Sequence, residues 1–378
     1  MPPASSAPTS PSNAVLLATS LLALAPALPA QEAKAQGPVW ALQPTHVILP
    51  DGSTAEGQTV LVQGGRILGV GADLELPSGA RRWKLDGVLA PGFVDAFSAY
   101  GTDAPAQEDS RALTPMLRAY DAVDLDGDDW GKLVEAGITS AHVLPEPNNI
   151  QSGWGALVAS AGKDRMLVGR TRQVLSMVIS RVGDPAFGPS SLAGAIELLQ
   201  GADTARVPGV ADRGVLAHVD DSAAIRAIRE AVGKEVDTRW MMWGDAASYG
   251  GELRGQYAGM PIPGVGAWTP RGLETLKRLH KAGVKVCFGT WSPNGAAQPG
   301  DLRRAAATMS RLTGDPKAAM AAITSNAAAF IGSDQVGAIE KGRRADLVLW
   351  SAHPLDPSAQ IRAVLIHGEA AHRVTDSE

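Results

Sequence analysis

Two stretches of the sequence carry side chains that could perform acid–base or metal chemistry. In the first, His218 stands near the end of the apolar run Val215–Val219 and is followed by Asp220 and Asp221. An imidazole beside carboxylates can bind a divalent metal or act as a lone acid or base. The alternative is that one aspartate caps a helix beginning at Ser222, while His218 only forms hydrogen bonds in the interior. We favour this alternative, because one histidine rarely holds a metal.

The second stretch contains His142 and Glu146, which could join the first stretch if their strand ends meet. The loop around Glu146, Pro145-Glu-Pro-Asn-Asn149, is rich in turn-forming residues, and we interpret it as a connection. Asp245 and the single cysteine, Cys287, have no visible catalytic companion. We interpret Asp245 as a solvated loop carboxylate and Cys287 as a small buried hydrophobe.

The elements that must position these residues alternate between strand-like and helical runs from about residue 88 to residue 332. The predicted strands are Val88–Phe97, Ile138–Leu144, Gly155–Ala159, Val174–Ile179, Val215–His218, Arg239–Trp243 and Val284–Thr290. The predicted helices are Ser190–Gln200, Ser222–Val232, Thr269–Ala282, Leu302–Leu312 and Pro316–Ile331, with N-caps at Thr269 and Asp315. Such alternation predicts a parallel sheet, and the length suits a (β/α)₈ barrel with its reactive residues at the carboxyl ends of the strands. An open, doubly wound sheet fits the same rhythm.

Both ends of the chain have the pattern of short β-strands. The runs are His46–Leu49, Thr59–Gln63 and Arg66–Val70 at one end, and Ala345–Trp350 and Ile361–Ile366 at the other. Each end alone is too short to bury a sheet face. We therefore expect the two ends to pair into one small β-sandwich with the barrel inserted between them. Asp346, with Arg343 and Arg344, is expected to fix a strand there, and Asp95 to play a similar structural role after the first barrel strand.

Composition excludes several classes of function. The chain has 34 Lys and Arg against 39 Asp and Glu, a net charge of −5, and no basic block, so we expect no nucleic-acid partner. One cysteine cannot build a disulfide framework or a multi-cysteine metal site.

The first 35 residues read as a leader outside the fold. The apolar run Ala14–Ala25 has the length of a signal-peptide core, a small-x-small cleavage site ends at Ala35, and Leu28-Pro29-Ala30 offers a second cleavage site. The stretch before the run has no Lys or Arg, and a disordered, alanine-rich tail is the alternative. We predict an exported protein, periplasmic or secreted, whose mature chain has no membrane span.

Two further motifs carry a resemblance to a known family. The segment Val88–Gly101, which contains Pro91-Gly-Phe-Val-Asp95, resembles the first barrel strand of the amidohydrolase superfamily. The segment Val336–Trp350 and the helix Ala321–Ala329 resemble that family's closing motif and the helix before it. The nearest group is the imidazolonepropionase-like metal-dependent hydrolases. This resemblance implies an α/β fold: a TIM-like (β/α)₈ barrel over residues 91–332 and a composite β-sandwich of residues 36–90 with 333–378, after the leader 1–35.

The resemblance also implies where the family's metal ligands would fall. The family hydrolyses amide and related C–N bonds with one or two metal ions, bound by a His-x-His, two further histidines and an aspartate. The corresponding positions here are Phe97, Ala99, His218, Trp243 and Trp291, of which only His218 keeps a ligand type. A phenyl ring, a methyl group and an indole N–H offer no lone pair to a cation. No metal or other cofactor is expected.

The functional prediction follows from this loss. We predict an amidohydrolase-like protein without its metal site, acting through binding or assembly. The predicted pocket consists of Phe97, Ala99, His218, Asp220, Trp243 and Trp291, and the candidate partners are a small ligand, a second copy of the chain or an active relative. The alternative is an active C–N hydrolase with an unorthodox site around His218, which would use Zn²⁺ or another divalent metal. A metal-free acid–base enzyme is a third option, with no specific support in the sequence.

Overall fold

The computed structural model describes residues 37–104, 106–108, 110–178, 188–220, 222–242, 253–263, 268–292 and 295–373. The predictions for the leader, for Asp221, and for Trp243 and Asp245 lie outside these residues. The strands are β1 (Trp40–Ile48), β2 (Thr54–Glu56), β3 (Thr59–Gln63), β4 (Arg66–Gly71), β5 (Arg81–Pro91), β6 (Phe93–Ser98), β7 (Ile138–Val143), β8 (Gln151–Trp154), β9 (Ala156–Ala159), β10 (Met166–Val168), β11 (Gln173–Ser176), β12 (Val215–Val219), β13 (Thr238–Met242), β14 (Tyr257–Pro261), β15 (Lys285–Gly289), β16 (Leu347–Trp350), β17 (Ile361–Ile366) and β18 (Glu369–Arg373). The helices are α1 (Asp129–Glu135), α2 (Leu192–Gly201), α3 (Val210–Arg213), α4 (Ser222–Val232), α5 (Pro270–Lys281), α6 (Asp301–Thr313), α7 (Pro316–Ala322) and α8 (Ser325–Ile331), with 3₁₀ turns at Ala119–Ala122 and Thr204–Arg206.

The two ends of the described chain pair into one eight-stranded sheet. Its order is β18-β17-β16-β5-β1-β3-β4, with β2 added to β1. The junction is the antiparallel pair β5–β16, in which Leu347 lies opposite Pro91. Val47, Leu89 and Leu347 belong to the apolar cluster on one face of this sheet, which neither end could bury alone. Arg344 and Asp346 form a buried ion pair at 3.1 Å, and Asp346 also accepts a hydrogen bond from the amide of His367, as expected for a strand-fixing group.

The middle of the chain forms two more sheets, and the fold is mixed α/β. One sheet has the order β10-β9-β7-β6, with β6 and β7 parallel. The other has the order β15-β14-β13-β12-β11-β8, in which β11 to β15 are all parallel. Regular strand pairing within the described residues does not join these two sheets into one closed barrel. No helix of the described residues has the length and apolar character needed to span a membrane.

An apolar cluster draws residues from strands of both sheets and from α8, and we call it the interior cluster. It contains Val94, Ala96, Phe97, Leu157, Leu216, Met241, Cys287, Ala327, Ala328, Phe330, Ile331 and Val336. A second, larger apolar cluster packs beneath the helices. Successive residues of one strand alternate between the two clusters: on β12, Leu216 belongs to the interior cluster and Ala217 to the larger one. This period of two is what a strand buried on both faces requires. Cys287 is buried here, as expected of a small hydrophobe.

Two predicted elements were wrong, and one central strand was missed. The predicted strand Val88–Phe97 is two strands, β5 and β6, which belong to different sheets and are separated by Gly92. A Cβ at Gly92 would lie 2.1 Å from Oγ1 of Thr139, so the chain crosses at a point where only glycine fits. The predicted helix Pro316–Ile331 is interrupted at Thr324, whose φ of −134° and ψ of −100° are not helical. The strand β14 was not predicted at all.

Candidate functional site

Four side chains from four different strand ends meet at the carboxyl side of the interior cluster. His218 on β12 pairs in register with Ser176, the last residue of β11, and the Nδ1 of His218 lies 3.4 Å from Oγ of Ser176. Trp291, two residues beyond β15, presents its ring edge-on to the His218 ring, with centroids 5.6 Å apart and planes at 86°. The indole N–H of Trp291 donates to Oε1 of Glu146 at 2.8 Å.

These four residues place a buried histidine, His218, beside an aromatic ring and a hydroxyl group. Ser176 and His218 are fully buried, while Trp291 and Glu146 are half-buried. The carboxylate of Glu146 fixes the orientation of the indole, and the indole fixes one side of the imidazole. An imidazole held in this way can exchange a proton with a ligand or form a hydrogen bond to it.

The contact between Glu146 and Trp291 adds a feature that the sequence does not predict. The local pattern assigns Glu146 to a turn-rich connection, yet its side chain reaches a residue 145 positions further along the chain. Nothing local in the sequence signals such a contact. Asp220 is half-buried and lies two residues before the start of α4.

Phe97 occupies the interior beneath this group. Its ring is fully buried and lies 6.1 Å from the ring of Phe330, centroid to centroid. A Cβ at Gly259 would lie 2.5 Å from Cε1 of Phe97, and a Cβ at Gly289 would lie 2.4 Å from Cδ2 of Phe97. Both distances are far below van der Waals contact, so the ring fills space that exists only because β14 and β15 carry glycine there.

Ala99 and its neighbours join the ends of β6 and β15. The amide of Ala99 donates to Oγ1 of Thr290 at 3.0 Å, and the Thr290 hydroxyl donates to Oδ2 of Asp95 at 2.5 Å. The Thr290 amide donates to Oδ1 of Asp95 at 2.9 Å. Burial raises the pKa of Asp95 to about 6, and the Thr290 hydrogen bonds hold it lower than burial alone would. Asp95 thus has the structural role expected from the sequence.

His142 lies within the interior, bonded through both ring nitrogens. Its Nδ1 lies 2.8 Å from the carbonyl oxygen of Ala96 and must donate to it, so its Nε2 accepts from the Thr171 hydroxyl at 2.7 Å. Burial lowers the pKa of His142 to about 4, so the ring is neutral at pH 7. A histidine committed in this way is a structural group and does not join His218.

These residues do not fit the divalent metal that the family resemblance implies. In the described parts of the chain, no group of three or more His, Cys, Asp and Glu side chains converges as metal ligands would. At the ligand positions, Phe97 is a packed ring, Ala99 offers only a methyl group, and the indole N–H of Trp291 is bonded to Glu146. The fourth replaced position, Trp243, lies outside the described residues. Of the family's ligand positions that the structure describes, only His218 therefore keeps a lone pair suited to a cation.

Known proteins show what this fold and sequence resemble. Residues 267–371 match the model of the amidohydrolase family. No curated protein matches the chain in sequence. An amidohydrolase from Thermotoga maritima MSB8 has a TM-score of 0.76 at 20% identity, with 89% of this chain and 100% of that chain covered.

Two other solved structures share the fold at lower similarity. A putative prolidase from Bifidobacterium longum has a TM-score of 0.58 at 17% identity and covers 89% of this chain and 95% of its own. The A. niger ochratoxinase has a TM-score of 0.52 at 16% identity and covers 88% and 95%. The family match over residues 267–371, together with the fold shared over most of the chain, confirms the resemblance to the amidohydrolase superfamily that the sequence motifs carry.

Proposed function

We propose that this protein is a non-catalytic member of the amidohydrolase superfamily, which acts by binding a small ligand or by assembling with another chain. The observation that carries the proposal is the packing of Phe97 against Gly259 and Gly289. A histidine restored at position 97 would bury a polar ring among apolar atoms and leave its nitrogens without partners. The two glycines and the ring are mutually adjusted, which is typical of a repacked interior and not of a single accidental substitution.

The proposed architecture is a TIM-like (β/α)₈ barrel over residues 91–332 with a composite β-sandwich of residues 36–90 and 333–378. Contacts across both seams between the middle sheets support it. At one seam the Trp291 amide donates to the carbonyl of Phe97 at 3.0 Å. At the other, Gly155 and Thr171–Arg172 exchange backbone hydrogen bonds of 2.8 and 3.2 Å. Pairing of the two chain ends in one sheet supports the composite domain.

The proposed binding pocket is the mouth above Phe97, lined by Ala99, His218, Asp220 and Trp291. The sequence also assigns Trp243 to this pocket, and that residue lies outside the described residues. Its support is the edge-on contact of His218 and Trp291 and the bond that fixes Trp291 to Glu146. Aromatic walls with one sheltered imidazole suit a planar, largely apolar ligand that has one hydrogen-bonding group. The candidate partners for assembly are a second copy of the chain or an active relative. Export through the leader 1–35 is part of the same proposal, and amino-terminal sequencing of the mature protein tests it.

A second candidate is a C–N hydrolase that uses His218. The observation in its favour is the position of His218 beside Ser176 at the carboxyl ends of parallel strands, where barrel enzymes keep their reactive groups. This candidate requires Zn²⁺ or another divalent metal, or an acid–base route through His218 alone. Metal-dependent hydrolysis of amides or lactams that is lost in His218→Ala would establish it and overturn the binding proposal.

Metal content of the purified protein is the test. The protein is exposed to Zn²⁺, Mn²⁺ and Fe²⁺, dialysed, and assayed by inductively coupled plasma mass spectrometry. We expect less than about 0.1 metal per chain, since one histidine does not hold a divalent ion. The control is His372→Ala on the edge strand β18, which corrects for adventitious binding by surface histidines. A ratio near one metal per chain that falls in His218→Ala, but not in His372→Ala, would refute the proposal.

A further inference from the structure

A cavity lies at the opposite end of the strands from the candidate pocket. It has a volume of about 480 Å³ and opens beside the amino-terminal end of β13, whereas His218 and Trp291 lie at carboxyl ends. This volume is within the range of small-molecule sites. Its lining comes from the end of α4, the loop into β13, β13 itself and the residue before β14: Arg229, Gly233, Lys234, Glu235, Val236, Asp237, Thr238, Arg239, Trp240 and Gln256.

The charge of this lining is positive in a chain that is acidic as a whole. Three cationic side chains line it, Arg229, Lys234 and Arg239. Of the two carboxylates, Asp237 is already paired twice: with the buried Arg172 at 2.7 Å and with Arg239 at 2.9 Å. Counting Arg172 with the lining leaves an excess of two positive charges, although the chain has a net charge of −5.

Arg239 is held rigidly but uses few of its donors. Its guanidinium lies over the ring of Tyr257, 4.6 Å from the centroid, and only one of its nitrogens, Nη2, donates to another described residue, Asp237. The side chain keeps 18% of its surface exposed. A guanidinium has five N–H donors in a fixed plane, so stacking and one ion pair leave donors for an oxyanion.

Lys234 and Arg229 complete the cationic wall. Lys234 forms no hydrogen bond or ion pair with any other residue in the part of the chain that the structure describes. Arg229 lies over the indole of Trp240, 5.3 Å from the ring centroid. The guanidinium of arginine and the ammonium of lysine are both groups with which proteins commonly bind phosphate.

We propose that this cavity binds a small organic phosphate. Lys234 and Arg239 bind the phosphate group, because they carry the unused cationic donors. The cavity is several times larger than a phosphate ion, and its remaining wall includes the apolar side chain of Val236. An organic remainder of the ligand therefore lies against that wall. Such a site is remote from the candidate pocket and independent of whether the protein binds a metal.

Isothermal titration calorimetry at constant ionic strength tests this site, with inorganic phosphate and phenyl phosphate as probes. We expect saturable binding of phenyl phosphate with a Kd below about 1 mM, and binding of inorganic phosphate at least about threefold weaker. Lys234→Ala should weaken both about tenfold, and Lys234→Ala with Arg239→Gln should abolish binding. The single variant removes no hydrogen bond or ion pair between described residues, and circular dichroism checks that both variants are folded.

The matched control is Lys277→Ala, which removes an exposed lysine on α5 that lines none of these cavities. Three outcomes would overturn the proposal: no saturable binding of either probe up to about 10 mM, equal weakening in Lys277→Ala and Lys234→Ala, or equal affinity for the two probes. The last outcome would mean that the cavity accepts a free anion and has no place for an organic remainder.

Discussion

The packing of Phe97 against two glycines predicts a measurable coupling between residues. Alanine at Gly259 would place its Cβ 2.5 Å from Cε1 of Phe97 and 3.1 Å from Cζ of Phe330. The backbone at Gly259 is not left-handed, so alanine meets no conformational penalty there, only the clash. Overpacking of this kind costs about 1–3 kcal/mol of unfolding free energy. Phe97→Ala alone should cost about 3–5 kcal/mol, because it empties a fully buried site.

The double variant separates this explanation from a general intolerance of Gly259→Ala. Once the Phe97 ring is gone, the added methyl group enters the cavity and its cost should vanish or change sign. The interaction energy between the two substitutions is then about 1–3 kcal/mol, measured from the four urea-unfolding curves of a double-mutant cycle. Additivity within about 0.5 kcal/mol would refute the reasoning, since it would show that the ring and Gly259 do not share the space.

Two controls sharpen the cycle. Gly289→Ala would bring its Cβ to 2.5 Å from the backbone oxygen of Phe97 as well as to the ring, so trimming the ring should relieve only part of its cost. Gly131 is inside helix α1, and a Cβ there meets nothing within 4 Å. Gly131→Ala should therefore stabilise the protein by about 0.5–1 kcal/mol in both backgrounds.

Three further predictions concern buried charge and helix capping. The pKa of His142 is about 4 in the folded protein and about 6.5 in the unfolded chain. Between these pH values the unfolded chain binds a proton at His142 that the folded protein does not, so the free energy of unfolding falls as the pH drops from 6.5 to 4. The pKa of Asp95 is raised from 3.8 to about 6, which has the opposite effect: it lowers the free energy of unfolding as the pH rises from 4 to 6. In His142→Gln only the Asp95 effect remains, so the melting temperature should decline from about pH 4 to about pH 6. A melting-temperature profile parallel to that of the wild type would contradict this. Arg172→Met should cost about 3–5 kcal/mol in urea unfolding, because the buried guanidinium bonds three carbonyl oxygens and one carboxylate, and stability unchanged within about 1 kcal/mol would count against it. Asp315→Ala should lower the free energy of unfolding by about 1 kcal/mol, because it removes the N-cap of α7. Asp315→Asn should retain most of this stabilisation, since asparagine also caps helices, and equal losses in the two variants would contradict the capping role.

Local signals in the sequence predicted local structure well. Thr269 and Asp315 were predicted as N-caps from the proline that follows each, and their side chains accept from the amides of Gly272 and Ala318 at 3.1 and 2.9 Å. A cap depends on a few neighbouring residues, all of them visible in the sequence. The alternation of strands and helices was predicted for the same reason, since each period is a property of one short segment.

The missed features depend on residues distant in the chain. The strand β14, Tyr257-Ala-Gly-Met-Pro261, contains a glycine and a proline, which together resemble a turn. Its glycine is explained by the rings of Phe97 and Phe330, both of them far away in the sequence. In the same way, the bond between Glu146 and Trp291 joins two segments that carry no matching local pattern. The family motif predicts from the sequence that the ligand types are replaced, whereas no motif predicts the glycines that accommodate Phe97.

The sheet that joins both ends of the chain cannot be completed until the last strands have been synthesised. Strand β5 pairs with β16, and Pro91 lies opposite Leu347 across that junction. A ribosome adds about 5–20 residues each second, so β5 leaves it about 10 to 50 seconds before its partner is made. During that interval β5 has an unpaired edge and one apolar face of the sheet is uncovered, a state that favours misassembly with other chains. A nascent chain stalled before β16 should therefore require a chaperone to stay soluble, whereas one stalled after β18 should not.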